Sequence, residues 1–232
     1  MSIAEKLTAI AENVPKVYEA GQKSEYDRFW DAYQNNGNRT SYSYAFAGTG
    51  WNDANLNPKH PIVCSGDLSF MFKDSSATYG DKIFEIDISQ VSSGSGIFYN
   101  SRIKRIGVLD TRSLSDLNTM FQYNSNLTSI EKIILKDDGS QKFTATFSSC
   151  PKIEEIRFEG TIGKSLDIHW STKLSAESYE NIFKCMTVTV SGQTLTVPKS
   201  TAEATYNAKY GSGKWASRDN GIKALGWAVS YL

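Results

Sequence analysis

The chain is poor in the residue types that most reactive sites require. Its 232 residues include three cysteines and two histidines. Cys64, Cys150 and Cys185 lie too far apart to form a Cys-x-x-Cys metal or redox motif. Lysine plus arginine and aspartate plus glutamate each total 25, so the basic excess of a nucleic-acid-binding protein is missing. No apolar run reaches the roughly 18 residues that span a bilayer. We therefore expect no nucleic-acid partner and no membrane insertion.

The few groups suited to chemistry stand alone in the sequence. His60 lies in a turn-like Pro-Lys-His-Pro segment, and His169 lies in an alternating strand pattern two residues after Asp167. A nucleophile and its base must converge in space, and no spacing here indicates such a pair. A carbohydrate-active enzyme would use a pair of carboxylates. Acidic side chains are, however, ordinary on the solvent-exposed face of a repeat protein. The candidate carboxylates are Asp110, Asp116, Asp137, Asp138, Glu154 and Glu155. We expect a non-enzymatic protein with no catalytic residues, no metal ligands and no cofactor.

Residues 1–36 predict a helical leader that serves assembly. Its apolar residues recur at steps of four, three, four and three, the a/d spacing of a coiled coil; they are Ile3, Leu7, Ile10, Val14 and Val17. Pro15 interrupts this pattern and predicts a kink. A second helical run ends at the Asn-Asn-Gly-Asn sequence of 35–38. The apolar stripe indicates a homo-oligomer, with a trimer favoured, and the alternative is that the same stripe packs on the body of the protein.

The middle of the chain repeats one motif. Its anchors are Phe72, Phe98, Phe121 and Phe147, which are separated by 26, 23 and 26 residues. Aliphatic residues follow each anchor at steps of three and two, and the final step is the alternation of a β-strand. One such unit cannot bury its apolar side alone, whereas stacked copies share a continuous core. The repeat therefore predicts a solenoid over 68–170.

Each repeat is expected to contribute one strand to a parallel ladder. The register that the repeats share places the strands at about 83–88, 103–109, 130–135 and 153–158. Ile106, Ile133 and Ile156 are then stacked inside the ladder, and the polar residues between the aliphatic ones point outward.

The segments that flank the repeats predict caps, because a repeat stack exposes apolar ends. Residues 37–67 form the N-terminal cap, and residues 171–232 form an α/β C-terminal cap. In the C-terminal cap, Ser175 is the N-cap of a helix through Met186. The remaining pattern predicts a hairpin over 187–198 turning at Ser191-Gly192, a helix with a Ser200–Glu203 capping box, and a last strand ending at Leu232.

The segment Phe147-Ser148-Ser149-Cys150 places an aromatic residue ahead of a cysteine and an aliphatic ladder, and Phe98-Tyr99-Asn100 matches this arrangement in part. In these features the repeats resemble the leucine-rich repeats of the BspA type over about 68–170. The resemblance implies an α+β fold: a short leucine-rich-repeat (BspA-like) solenoid with an N-terminal helical leader and a C-terminal α/β cap.

The run from Ile3 to Gly21, continued by Phe29-Trp30-Asp31-Ala32-Tyr33, is similar to the leader of repeat proteins encoded by phages and prophages of Firmicutes, which are thought to be tail- or virion-associated. This resemblance implies a virion structural or receptor-binding protein that is assembled in the host cytoplasm. Its partners would be other virion or tail proteins and a host-surface protein or glycan. The alternative is a BspA-like adhesin or interaction module at the bacterial cell surface. The first residues lack the apolar stretch of a signal peptide, which favours the virion.

Two tyrosines are the candidate ligand surface. Tyr99 and Tyr123 follow a core phenylalanine by one and two positions, so we expect them together on the outer side of the turns, where they can stack on sugars or protein. The alternative is that they only pack on neighbouring turns.

Overall fold

The computed structural model describes residues 62–75 and 86–232, and this part of the chain is a β-solenoid of parallel strands with three helices. The strands are β1 (Ile62–Asp67), β2 (Ile86–Ser93), β3 (Arg105–Asp110), β4 (Ser129–Ile134), β5 (Glu155–Glu159), β6 (Leu166–Asp167), β7 (Gln193–Val197) and β8 (Trp227–Tyr231). The helices are α1 (Ala176–Cys185), α2 (Lys199–Tyr210) and α3 (Lys214–Ala224). The predicted leader over 1–36 and most of the predicted N-terminal cap lie outside the described residues.

The strands form three parallel groups: β1–β2, β3–β4–β5 and β6–β7–β8. Parallel neighbours need a connection that returns the chain to the same end of the sheet, and from β1 to β5 each repeat supplies that connection. The parallel pairing predicted from the repeats is confirmed for β3, β4 and β5, whereas β2 pairs in parallel with β1 and belongs to a separate sheet. The observed strands β2, β3, β4 and β5 each overlap the range predicted for them.

The stacking of aliphatic residues inside the ladder differs in one position from the prediction. Ile106, Ile130 and Ile156 pair across β3, β4 and β5, whereas Ile133 belongs to a second row with Leu109 and Phe158. All are buried, but Ile133 does not stack on Ile106 and Ile156 as predicted. The reason is the spacing: the buried residues lie three apart in β3 and β4 and two apart in β5, and an irregularity between Ile130 and Ile133 absorbs the difference.

The four anchor phenylalanines form one buried stack along the solenoid axis. Successive rings of Phe72, Phe98, Phe121 and Phe147 lie 5.5, 5.7 and 5.7 Å apart between centroids, with interplanar angles of 7°, 3° and 12°. Each of the four is fully buried. The stack ends where Phe158 meets Phe147 edge-on at 6.3 Å. Because every coil adds one ring, the core is continuous from coil to coil.

A buried polar ladder runs beside this stack. The residue three positions after each core position is polar or cysteine: Ser75, Ser101, Asn124, Cys150 and Ser171. Ser101 Oγ donates to Asn124 Oδ1 at 2.7 Å, and Asn124 Nδ2 donates to the carbonyl oxygens of Phe98 and Phe121 at 2.6 and 2.8 Å. Cys150 Sγ donates to the Phe121 carbonyl at 2.9 Å. The Phe98 and Phe121 carbonyls also accept the backbone N–H groups of Ser101 and Asn124, so the side chains of the ladder add further bonds to these carbonyls and find their own buried partners there.

Two buried cysteines should be chemically inert while the protein is folded. Burial raises the pKa of Cys150 to about 12 and that of Cys185 to about 11. The thiolate is the reactive form, so we expect a disulfide reagent at neutral pH to modify neither thiol until the chain unfolds. A Cys64→Ser background isolates these two thiols for a colorimetric titration. Rapid modification of either one in the native protein would contradict the burial described here.

Helix α1 lies along the open edge of β5. Ile156 N donates to Ser178 Oγ at 3.0 Å, Phe158 N donates to Asn181 Oδ1 at 2.6 Å, and Asn181 Nδ2 donates to the Phe158 carbonyl at 3.0 Å. Side chains of α1 thus replace the next strand as hydrogen-bond partners, which protects the edge from further pairing. The predicted N-cap is confirmed, since Ser175 Oγ accepts a hydrogen bond from Ser178 N at 3.2 Å.

The hairpin predicted over 187–198 is wrong. Within it only β7 is a strand, and β7 pairs in parallel with β6 and β8. Residues 187–190 instead meet the end of α3, where Val190 N donates to the Leu225 carbonyl at 2.8 Å. Gly226 is required at this contact, because a Cβ there would lie 2.1 Å from the Val190 oxygen.

The two helices that connect β7 to β8 return the chain to the same end of the sheet, so that the two strands pair in parallel. An alternating sequence pattern alone does not reveal this connection. The predicted Ser200–Glu203 capping box is also wrong: α2 begins at Lys199 after Pro198, and no side chain caps it. The predicted last strand is confirmed by β8.

Candidate binding surfaces

The turn segment of each coil repeats one backbone conformation. Two residues four positions apart have a positive φ, with the core phenylalanine midway between them; the pairs are Phe70/Asp74, Gly96/Asn100, Thr119/Tyr123 and Ala145/Ser149. Such a φ is uncommon for residues other than glycine. Only Gly96 among these residues is a glycine, so no glycine pattern in the sequence marks this turn.

Backbone hydrogen bonds join the turn segments of successive coils and hold that conformation. In one step, the N–H groups of Thr119, Phe121 and Tyr123 donate to the carbonyls of Thr144, Thr146 and Ser148 at 2.9, 3.1 and 2.9 Å. The two preceding steps have the same bonds, from Phe70, Phe72 and Asp74 and from Gly96, Phe98 and Asn100. Side chains on the outside of the turns are therefore held in fixed rows along the axis.

One of these rows is aromatic, and we call Phe70, Lys73, Tyr99 and Tyr123 the aromatic column. The Tyr99 ring lies 5.9 Å from Phe70 and 5.4 Å from Tyr123, edge-to-face in both pairs. Lys73 Nζ lies 5.7 Å from the Tyr99 centroid and 5.9 Å from that of Phe70. Phe70 and Tyr99 are half-buried, while Tyr123 is 45% exposed. The column presents ring edges and faces to solvent on a rigid backbone.

The structure brings together the two tyrosines that the sequence singled out, and their role in binding stays a prediction. Sequence reasoning missed Phe70 and Lys73, which belong to the most degenerate repeat. No spacing in the sequence marks these two residues, and the role of Gly96 beside them shows only in the structure. A Cβ on Gly96 would lie 2.4 Å from the Phe70 ring, so the missing side chain leaves the space in which Phe70 reaches Tyr99.

Two ion pairs lie on the outer face of the strands. Lys132 Nζ lies 2.7 Å from Glu159 Oε2 across β4 and β5. Arg112 holds Asp110 through two hydrogen bonds of 2.9 and 2.6 Å, and the Arg112 side chain lowers the pKa of Asp110. Val108 is 42% exposed between these pairs. Glu131, Glu155 and Arg157 are also exposed on β4 and β5, so this face is charged and polar rather than aromatic.

The other carboxylates considered from the sequence are exposed or held locally. Asp116 and Asp138 accept hydrogen bonds from the backbone N–H of Asn118 at 3.2 Å and of Ser140 at 2.9 Å. Hydrogen bonds from Ser140 lower the pKa of Asp138. Asp137, Glu154 and Glu155 are exposed. Across 62–75 and 86–232, no three His, Cys, Asp or Glu side chains are grouped to hold a metal ion.

His169 makes a local contact at the end of β6. Its Nδ1 lies 2.6 Å from Asp167 Oδ1, and its backbone N–H donates to the same oxygen at 3.1 Å. The imidazole also packs 4.8 Å from the ring of Trp170, which is 45% exposed. Asp167 thus fixes the turn after β6, and Trp170 adds an exposed aromatic ring two coils beyond Tyr123. His60 lies outside the described residues.

A cleft of about 470 Å³ lies among the three helices. On its wall, the Tyr206 hydroxyl donates to Glu180 Oε2 at 2.5 Å, and the Arg218 guanidinium bonds both Glu180 and the Tyr206 oxygen. Burial alone would raise the pKa of Glu180, but Tyr206, Arg218 and Lys184 together lower it. Each charge in this cluster has a partner within it, and the cluster ties α1 to α2 and α3.

Comparison with known proteins identified no similar protein. No family model matches the sequence, and neither a curated protein nor a solved structure matches it. In the described ranges, none of the helices has the length and apolar content needed to cross a membrane.

The residues predicted to drive oligomerisation, from Ile3 to Val17, lie outside the part of the chain that the structure describes, and that prediction stays a prediction.

Proposed function

We propose that the chain is a non-enzymatic recognition protein: a tail-associated virion structural or receptor-binding protein of a phage or prophage, which uses its repeat surface to bind a host-surface protein or glycan. The aromatic column is the observation that carries this proposal. Tyrosine and phenylalanine offer a large contact area and lose little conformational freedom on binding. A backbone held by coil-to-coil hydrogen bonds lowers that entropic cost further.

The repeats are proposed to be leucine-rich repeats of the BspA type. The buried polar ladder supports this assignment, because Asn124 and Cys150 stand in the position that the resemblance assigns to asparagine or cysteine. We further propose that the helical leader joins copies of the chain, with a trimer favoured, and that other virion proteins hold the assembly. Several copies would present several aromatic columns at once, which raises avidity without a new contact.

A bacterial surface adhesin is the second candidate, since the aromatic column would serve it equally well. The neighbouring genes distinguish the two: tail and lysis genes favour the virion protein, and an export system favours the adhesin.

We expect a Tyr99→Ser/Tyr123→Ser double variant to bind host cell-wall material at least about tenfold more weakly than the wild type, which corresponds to about 1.4 kcal/mol. Both side chains lie on the surface of the turns, so the fold should be retained. Pull-down with purified cell walls and titration of the bound fraction measure the effect. Tyr210→Ser is the matched control, because Tyr210 is 38% exposed but lies in α2, away from the column. Unchanged binding by the double variant would remove the aromatic column as the binding surface.

A further inference from the structure

Trp170 stands in the same row of outer turn positions as Tyr123. In its coil, Ser171 N donates to the Ile168 carbonyl at 2.9 Å. The same bond, from the residue after the ring to the core residue three positions earlier, is 3.2 Å long in the coil of Tyr123. Trp170 and Tyr123 thus hold equivalent places, each two positions after a buried core residue.

One coil without an aromatic residue at this place separates the two rings, and Ser149 holds the equivalent position in it. Backbone bonds show that these coils are direct neighbours, since Glu154 N donates to the Thr128 carbonyl and Ser175 N donates to the Glu154 carbonyl, each at 2.8 Å. With strands about 4.8 Å apart, two coils place the rings roughly 10 Å apart along the axis. Both rings are 45% exposed, so two flat apolar surfaces face solvent with a gap between them.

The side chains along this gap are polar, uncharged and open to a ligand. Gln122, Ser148 and Ser149 are half-buried, and across 62–75 and 86–232 their side chains form no hydrogen bond. At the far end of the gap, Asp167 accepts a hydrogen bond from His169 Nδ1 at 2.6 Å, which leaves Nε2 of the neutral imidazole as an acceptor. We call the two rings and the groups between them the turn strip; its members are Gln122, Tyr123, Ser148, Ser149, His169 and Trp170.

The turn strip suits a sugar chain better than a peptide. The C–H face of a pyranose is apolar and stacks on an aromatic ring, while its hydroxyl groups need neutral donors and acceptors. An extended peptide would need open backbone groups, but the Tyr123 N–H already donates to the Ser148 carbonyl at 2.9 Å. In an extended β-1,4-linked chain each sugar is turned over relative to the next, so alternate sugars present the same face. Two sugar units of such a chain span a distance close to that between the rings.

We propose that the turn strip binds an uncharged, extended β-1,4-linked glycan. Alternate sugars stack on Tyr123 and Trp170, and the sugar between them lies over the polar gap. This inference rests on the proposed function, because the turn strip shares Tyr123 with the aromatic column. It adds the chemical class of the ligand and a second ring that the aromatic column does not contain.

Calorimetric titration of the full chain with the hexamer of β-1,4-linked N-acetylglucosamine tests the class of ligand. The dimer of the same sugar cannot reach both rings, so we expect it to bind at least about tenfold more weakly than the hexamer. Maltohexaose has the same number of sugars, but its α-1,4 linkages coil the chain, and it should bind as weakly as the dimer. Absence of hexamer binding at millimolar concentration, or equal binding of either control sugar, would overturn the proposal.

Variants of the two rings test the location. Trp170→Ser and Tyr123→Ser should each weaken hexamer binding about tenfold, whereas Trp170→Phe keeps an aromatic face and should retain most of the affinity. Val108→Ser is the matched control, because Val108 is 42% exposed but lies on β3, away from the turns. The hexamer should also shift the tryptophan emission of the wild type and not that of Trp170→Phe. Hexamer binding that is unchanged in Trp170→Ser would rule out the turn strip.

The failure of this inference can be told apart from the failure of the proposed function. If Tyr99→Ser/Tyr123→Ser loses binding to cell walls but the wild type does not bind the hexamer, the aromatic column recognises another ligand and the glycan inference is wrong. If the wild type binds the hexamer through both rings but the double variant keeps its full binding to cell walls, the glycan inference stands. The aromatic column is then not the surface that recognises the host.

Discussion

Replacing Phe121 with alanine is expected to lower the free energy of unfolding by about 3–5 kcal/mol. The ring is fully buried and stacks on Phe98 and Phe147 at 5.7 Å on both sides. Its removal leaves a cavity in the middle of the stack, where rings on two sides lose contacts at once. Urea denaturation followed by tyrosine and tryptophan fluorescence measures the change in midpoint.

Two controls make this result specific. Phe121→Leu keeps most of the apolar volume and should cost clearly less than the alanine variant. Phe70→Ala removes a half-buried ring from the aromatic column rather than from the core stack, so it should cost about 1 kcal/mol. A Phe121→Ala protein as stable as the wild type would mean that the ring is not part of a close-packed core.

Replacing Asn124 with leucine is expected to cost about 3 kcal/mol. The side chain is fully buried and makes three hydrogen bonds, one accepted from Ser101 and two donated to the carbonyls of Phe98 and Phe121. Leucine has nearly the same size but removes the acceptor of the buried Ser101 hydroxyl, and it leaves the Phe98 carbonyl with the Ser101 N–H as its one remaining donor. The same urea denaturation measures the loss.

The neighbouring coils provide the matched control. Cys150 and Ser101 occupy the equivalent position in the ladder, so Asn124→Cys and Asn124→Ser should each be less damaging than Asn124→Leu. If leucine were the mildest of the three, the polar ladder would contribute nothing to stability, and the position would act only through its volume.

The parallel ladder could be predicted because apolar residues recur after each phenylalanine, and that spacing reports directly on which side chains are buried. The row in which Ile133 lies could not be predicted, because it depends on a local irregularity between β4 and β5 that the spacing of apolar residues in the sequence does not show. The prediction of a C-terminal hairpin was wrong for a related reason. Alternation in 187–197 indicates strand structure, but the direction of its partner depends on the two helices that connect β7 to β8.

The candidate surfaces were predictable to a similar degree. Tyr99 and Tyr123 could be placed together because each closely follows a core phenylalanine, by one and by two positions. The positive φ at Phe70 and the space above Gly96 are properties of the three-dimensional turn, so Phe70 stayed hidden.

The spacing of the phenylalanine stack also bears on how such a molecule changes length. The anchors are 26, 23 and 26 residues apart in sequence, yet the rings advance by 5.5, 5.7 and 5.7 Å. The distance from ring to ring is thus nearly the same for a coil of 23 residues as for one of 26 residues. Duplication or loss of one repeat in the gene would therefore change the reach of the protein by a constant increment and leave both ends intact. The length of the solenoid can therefore evolve in equal steps of one coil.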